Sequence, residues 1–155
     1  MQLQITTDYA IRCVLYLAMK DSSINALEIS EAMCIPHNYV QQILRRLRIA
    51  ELVDSSQGRG GGYRLAKDPE EISLMDIMEL FEKTMRINRC LEDDHFCSWN
   101  GTLKGCPVNA YYKGLQKNIE GYLRGTSIAD ILKSSDEHIC NIEEEKTKVS
   151  PSLKI

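Results

Sequence analysis

Four glycines fall within the six residues Gln57-Gly58-Arg59-Gly60-Gly61-Gly62. Glycine lacks a Cβ and loses the most backbone freedom on ordering, so a run like this makes a turn rather than the inside of a helix or strand. The flanking segments, Leu52-Val53-Asp54-Ser55-Ser56 and Tyr63-Arg64-Leu65, read as two short strands. The expected product is a β-hairpin with Arg59 at its tip, where a narrow minor groove would attract it. A glycine loop can also cradle a nucleotide phosphate. Here no Lys-Ser/Thr pair follows and no helix opens directly behind, so a P-loop does not fit.

The residues before this hairpin are helical in period. Tyr9, Ala10, Cys13, Val14, Leu17 and Ala18 fall on one face of a helix over residues 8–20. Asn25 followed by Glu28 resembles a capping box, opening a short helix through Leu27, Ile29, Ala32 and Met33. Pro36 disfavours helix at the residue before it and suits a new helix start. The next helix would pack by Tyr39, Val40, Ile43, Leu44 and Leu47. Its other face would show Asn38, Gln41, Gln42, Arg45, Arg46 and Arg48. That is a helix-turn-helix, and the hairpin after it is the wing of a winged helix. Asn and Gln can pair with adenine; Arg can pair with guanine or phosphate. The expected DNA-binding set is Asn38, Tyr39, Gln41, Gln42, Arg45, Arg46, Arg48 and Arg59.

Beyond the hairpin, Ser73 and Asp76 are spaced to cap a helix from Leu74 to Lys83. A segment rich in Glu, Asp, Gly and Asn follows, with the pattern Cys90-x6-Cys97-x8-Cys106. It has little apolar content, so something outside it must order it. Val108, Tyr111, Tyr112, Leu115, Ile119, Tyr122 and Leu123 then recur at helical offsets. A stripe with three tyrosines suits a dimer seam, where one end of each ring can stay wet. Thr126 and Ser127 introduce a short helix through Ile128, Ile131 and Leu132. Three regions are expected: a DNA-binding region over 1–67, a thiol loop with dimerisation helices over 68–133, and a polar tail over 134–155. The fold class is mainly α with a small β-hairpin wing, closed by a long C-terminal dimerisation helix.

Charge supports a division of labour. The net charge of the 155 residues is −3, which excludes a uniformly basic coat, but residues 1–67 hold 8 basic and 6 acidic side chains while residues 68–155 hold 11 and 16. One half can face phosphate while the other does something else. No apolar run is long enough to cross a membrane. The first residues lack the basic start and apolar centre of a secretion signal, so a cytoplasmic protein without membrane contact is expected.

Six cysteines in such a chain point to metal or redox chemistry more than to disulfides. Spacers of six and eight residues fit structural zinc poorly, and longer spacers let a loop wrap a bulkier iron–sulfur cluster. Cys13 and Cys34 fall on apolar faces and are expected to be small buried hydrophobes. Three cysteines leave one ligand missing from a cluster that wants four. The candidates are His95, which reads rather as a solvated loop histidine, Asn109, a poor iron ligand, and Cys140, which sits in the polar tail. Cys-x-x-Cys is absent, and no nucleophile–base pair or cofactor fingerprint stands out, so an enzyme is not expected.

The chain closely resembles the Rrf2 family of bacterial winged-helix regulators, which includes IscR- and NsrR-like sensors. The resemblance runs over about residues 1–133. It rests on Thr7-Asp8-Tyr9-Ala10-Ile11-Arg12, on the stretch Asn38 to Leu47, on Gly58-Arg59-Gly60-Gly61-Gly62-Tyr63 and on the three spaced cysteines. It implies a homodimer on a double-stranded DNA operator, with an iron–sulfur cluster held by Cys90, Cys97 and Cys106. In IscR-like members a histidine three residues after the last cysteine completes the site; that position is Asn109 here. In NsrR-like members an aspartate of the partner subunit completes a 4Fe–4S cluster, and Asp8 stands at the matching position. The function so implied is a transcriptional regulator, a repressor, sensing iron–sulfur status, nitric oxide or redox stress. The cluster is 4Fe–4S in preference to 2Fe–2S. A thiol- or zinc-based DNA-binding redox regulator is the alternative, and an iron–sulfur carrier is a more distant one.

Overall fold

The computed structural model describes residues 3–20, 22–58, 60–94, 96–97 and 106–134. In chain order the elements are α1 (Ile5–Ala18), α2 (Ala26–Met33), α3 (His37–Ile49), β1 (Val53–Ser56), β2 (Gly62–Leu65), α4 (Leu74–Phe81), α5 (Pro107–Gly125) and α6 (residues 128–134). Short 3-10 turns lie at Pro69–Glu71 and Arg89–Leu91. The architecture is the expected one: mainly helical, with one two-stranded antiparallel hairpin.

The helix starts are set by side chains that satisfy otherwise unpaired N–H groups. Asn25 accepts from the Glu28 N–H at 2.9 Å and opens α2. Ser73 and Asp76 form a reciprocal capping box on α4. Ser127 and Asp130 make the same pair of contacts on α6. The two starts are tied together, because Leu74 N–H donates to Thr126 C=O at 3.0 Å and Ile128 N–H donates to Ile72 C=O at 2.9 Å. α1 has no such local cap. Its Gln4 N–H donates to Glu82 Oε1 at 2.9 Å, and the Thr7 hydroxyl donates to the same oxygen. Glu82 is extended (ψ 140°), so α4 stops at Phe81 rather than reaching Lys83. The backbone leaves the helix early there, and Glu82 reaches the start of α1.

Between α2 and α3 the chain turns on Cys34, in the left-handed region at φ 53°. Its N–H and that of Ile35 return to the last carbonyls of α2, and the Ser30 hydroxyl donates to Ile35 C=O at 2.7 Å. This corrects the expectation for Cys34. The αL turn carries its side chain into solvent, and Ile35 fills the core position instead. Cys13 is fully buried, as expected.

The wing pairs Val53 with Leu65, Asp54 with Arg64, Ser55 with Tyr63 and Ser56 with Gly62. A third, single-residue rung comes from Ile24, whose N–H and C=O exchange hydrogen bonds with Tyr63 at 2.9 and 2.8 Å. Two glycines are required by that closeness. A Cβ on Gly62 would stand 2.6 Å from Ile24 O, and one on Gly61 2.5 Å from Ser56 O.

One continuous core joins the elements. Ala10, Cys13, Val14 and Leu17 of α1 meet Ile29, Ile35, Val40, Ile43, Leu44 and Leu47, and the same cluster extends through Val53, Ile72, Ile77 and Phe81 to Ile128. α5 stands apart from it and is inverted. Its buried residues are polar, Asn109 at 3% and Gln116 at 4% exposure, while Val108, Tyr111, Leu115 and Tyr122 lie exposed at 53%, 69%, 38% and 70%. Among the described residues no helix is long and apolar enough to cross a membrane.

Candidate functional site

α3 buries Val40, Ile43, Leu44 and Leu47 and turns Asn38, Tyr39, Gln41, Gln42, Arg45, Arg46 and Arg48 outward. These exposed residues do not share one environment. Arg46 folds back onto α4: its guanidinium lies 4.6 Å from the Phe81 ring centroid and donates to Leu80 C=O. Arg48 donates to Ser55 Oγ of β1 at 3.3 Å and braces the wing. Tyr39 meets Tyr9 of α1 edge-to-face, with centroids 5.8 Å apart at 79°. Asn38, Gln41, Gln42 and Arg45 complete the exposed face of the helix. Arg59 lies outside the described residues. Gly58 and Gly60, on either side of it, have φ of 107° and 88°, backbone that glycine adopts without steric cost.

Asp8 is one turn into α1 and forms an i,i+4 ion pair with Arg12, whose Nε lies 2.9 Å from Asp8 Oδ2. This hydrogen bond raises the Arg12 pKa further, against partial desolvation. Arg12 also donates to Met33 C=O at 3.4 Å and lies 5.3 Å from the Tyr9 ring centroid. Asp8, Arg12 and Tyr9 thus form a chain of contacts ending on Tyr39 and on the last residue of α2.

Two of the three thiols, Cys90 and Cys106, lie at the N-terminus of α5, and Cys97 is not brought together with them. Cys106 is the N-cap of that helix, and its sulfur accepts the Asn109 N–H at 3.4 Å. The Asn109 side-chain amide donates to Cys90 Sγ at 3.3 Å and to Cys90 C=O at 3.5 Å. Two turns further on, Gln116 donates to Met85 C=O at 3.0 Å and accepts Ile87 N–H at 2.9 Å. These two amides tie Met85, Ile87 and Cys90 to α5. Arg89 makes local contacts with Asp94 and the Phe96 ring. Cys90, Cys97 and Cys106 are each partly exposed. Among the described residues, no group of three or more His, Cys, Asp or Glu side chains is close enough to hold a metal ion. The donor set nevertheless suits soft, thiophilic iron, since two of the three sulfurs already carry N–H donors at a helix N-terminus. His95 and Cys140 lie outside the described residues.

Over residues 3–134 the chain matches the Rrf2 family profile, described as an iron-dependent transcriptional regulator. The chain belongs to the Rrf2 family. The NsrR regulator of Shouchella clausii is 33% identical over 142 residues, covering 88% of this chain and 92% of that protein. The IscR regulator of Cereibacter sphaeroides is 31% identical over 140 residues, covering 86% and 88%. The solved structure of T. potens IscR shares the fold at a TM-score of 0.69 and 24% identity, covering 89% of this chain and 90% of that one. Like these Rrf2 relatives, the chain is a DNA-binding transcriptional regulator and not an enzyme.

Within this Rrf2 chain, sequence reasoning missed the working roles of four residues. Ile24 is a lone apolar residue in a polar stretch, too short to show strand alternation. Glu82 acts on α1 from 75 or more residues away, which no local pattern can reveal. Asn109 and Gln116 did carry a signal: two amides seven residues apart mark one helical face, opposite the tyrosines.

Proposed function

We propose that this chain is a homodimeric repressor whose hold on its operator depends on an iron–sulfur cluster. Cys90, Cys97 and Cys106 of one subunit and Asp8 of the other would ligate it. The observation that carries the proposal is the pair of N–H donors on the Cys90 and Cys106 sulfurs at the head of α5. A dithiol wanted only for packing has no need of them. A 4Fe–4S cluster is favoured over 2Fe–2S. When bound, the cluster supplies an iron centre reactive toward nitric oxide, oxidants or iron shortage.

This chain's own residues link that site to DNA. A carboxylate is a harder donor than a thiolate and a weaker anchor for cluster iron. Asp8 therefore has two alternatives, the partner's cluster or Arg12. When Asp8 pairs with Arg12, the arginine bridges Tyr9 and the Met33 carbonyl, and Tyr9 abuts Tyr39 of α3. A change of Asp8 partner is felt at the recognition helix. It also removes a link across the dimer, whose two recognition helices must match half-sites roughly 34–36 Å apart. The dimer itself is supported by the inverted α5. Burying Tyr111, Tyr122 and their neighbours against a second copy would contribute about 1.5–3 kcal/mol for each large side chain fully covered.

The test is composition. Protein purified without oxygen is expected to contain iron and acid-labile sulfide, with the iron-to-sulfide ratio and spectrum separating the two cluster types. Cys97→Ala is expected to lose both. Colourless, zinc-filled wild-type protein would contradict the proposal and favour a thiol- or zinc-based regulator.

A further inference from the structure

We infer that Asn109 is the positioning residue of the thiol site, an N–H donor that holds two of the cluster's sulfurs in place without ligating iron itself. The inference rests on the cluster proposal above and deepens it. Asn109 is almost fully buried, and its side chain sits between the Cys90 sulfur and the Cys90 carbonyl oxygen, 3.3 and 3.5 Å away. Both of those atoms are acceptors. Only the NH2 end of the amide can therefore face them, because the oxygen end would meet two lone-pair-bearing atoms. An amide with its nitrogen turned to the Cys90 sulfur is not offering a ligand atom.

The backbone of the same residue serves the other sulfur. Asn109 N–H points at Cys106 Sγ from the first turn of α5, at 3.4 Å. Cys106 stands where an N-cap oxygen would ordinarily stand. A neutral thiol is a weak acceptor, whereas a sulfur carrying negative charge accepts strongly. Both bonds therefore strengthen when the sulfurs are bound to iron as thiolates. They also stabilise the more reduced, more negatively charged cluster over the oxidised one. Gln116, two turns along the same face, supports the loop, but its hydrogen bonds go to the Met85 and Ile87 backbone and the Glu120 side chain and not to a sulfur. It provides an internal control for loosening alone.

The experiment compares wild type, Asn109→Leu, Asn109→Ala and Gln116→Leu, all prepared without oxygen. Leu keeps the branched heavy-atom shape of Asn and loses the donor; Ala loses both. Both Asn109 variants are expected to release cluster iron to a chelator faster, by about tenfold or more, the usual cost of losing a partner of a metal ligand. Their cluster reduction potential is expected to fall, with a shift in the iron–thiolate stretching bands in resonance Raman spectra. Gln116→Leu should leave the potential and the bands where they are. In metal-free protein, hydrogen exchange at residues 88–92 should speed up in Asn109→Leu. Asn109 variants that match wild type in potential and exchange would overturn the inference while the cluster stands. So would a Gln116→Leu variant that lowers the potential equally, since the effect would then be loosening. Wild type devoid of sulfide would remove the cluster proposal, leaving the exchange comparison to decide whether Asn109 holds the thiols.

Discussion

Buried polar atoms set the energetics of single residues here. Gln116 satisfies Met85 C=O and Ile87 N–H at once, from a position 4% exposed. Gln116→Leu strands both backbone groups, so urea unfolding is expected to show a loss of about 1–3 kcal/mol; an unchanged midpoint would mean the loop finds other partners. Cys13 makes the opposite case. Burial pushes its thiol up to about 12 against an ordinary 9.0, with Arg12 pulling weakly the other way. The folded state then holds a proton that the unfolded state has released, so stability falls as pH rises through this range. Alkaline unfolding between those two values should carry a slope of about 1.4 kcal/mol per pH unit that Cys13→Ala removes. Periodicity alone foretold that Cys13 is inside, because it lies mid-stripe on α1. Cys34 defeated the same logic, since it ends its helix. A left-handed turn there decides where the side chain points, and residue type gives no hint of the turn.

At the scale of elements, α3 is held at its C-terminal turn in two directions as well as by its buried stripe. Arg46 reaches α4 through Phe81 and Leu80, and Arg48 reaches the wing through Ser55. Of the basic residues expected to meet DNA from α3, only Arg45 is left without a structural task among the described contacts. Arg45→Ala should therefore lower the slope of log K against log salt by about one, the mark of a lost phosphate contact. Arg46→Ala should weaken binding while leaving that slope nearly unchanged; a full unit lost there would make Arg46 a phosphate contact after all. The starts of α2, α4 and α6 were legible in the sequence, since Asn25–Glu28, Ser73–Asp76 and Ser127 are local signals. α1, by contrast, begins at Ile5 rather than at residue 8, because Glu82, not a local cap, holds its start. The hairpin was legible from its glycines. The end of α4 was not, because Glu82 leaves the helix for a partner across the molecule, and the third rung at Ile24 was not, because one residue has no period. The face of α3 was legible as a surface, but which of its arginines are struts depends on α4 and β1.

For the whole molecule, the inverted α5 is the feature that matters most. A helix that buries amides and exposes tyrosines is incomplete alone, and the proposed dimer completes it. Placing a charge on the exposed stripe, as Tyr111→Glu or Tyr122→Glu, should convert the protein to monomer in sedimentation, with operator binding lost as one half-site is too little. A dimer that survives both substitutions would put the interface elsewhere. The charge asymmetry read from the sequence suits the same proposal, with a basic excess over residues 1–67 and an acidic excess beyond them. A nearly complete switch between bound and released states needs about 5.5 kcal/mol of differential binding, which loss of ligand bonds, of loop order and of a link through Asp8 together can supply. The decisive measurement is operator binding by the oxygen-free protein, followed by anisotropy before and after the cluster is removed by nitric oxide or chelator. The account predicts that the affinity changes by orders of magnitude with cluster content and that Asp8→Ala shrinks this change; sulfide-free protein that binds its operator with the same affinity as the starting material would contradict it.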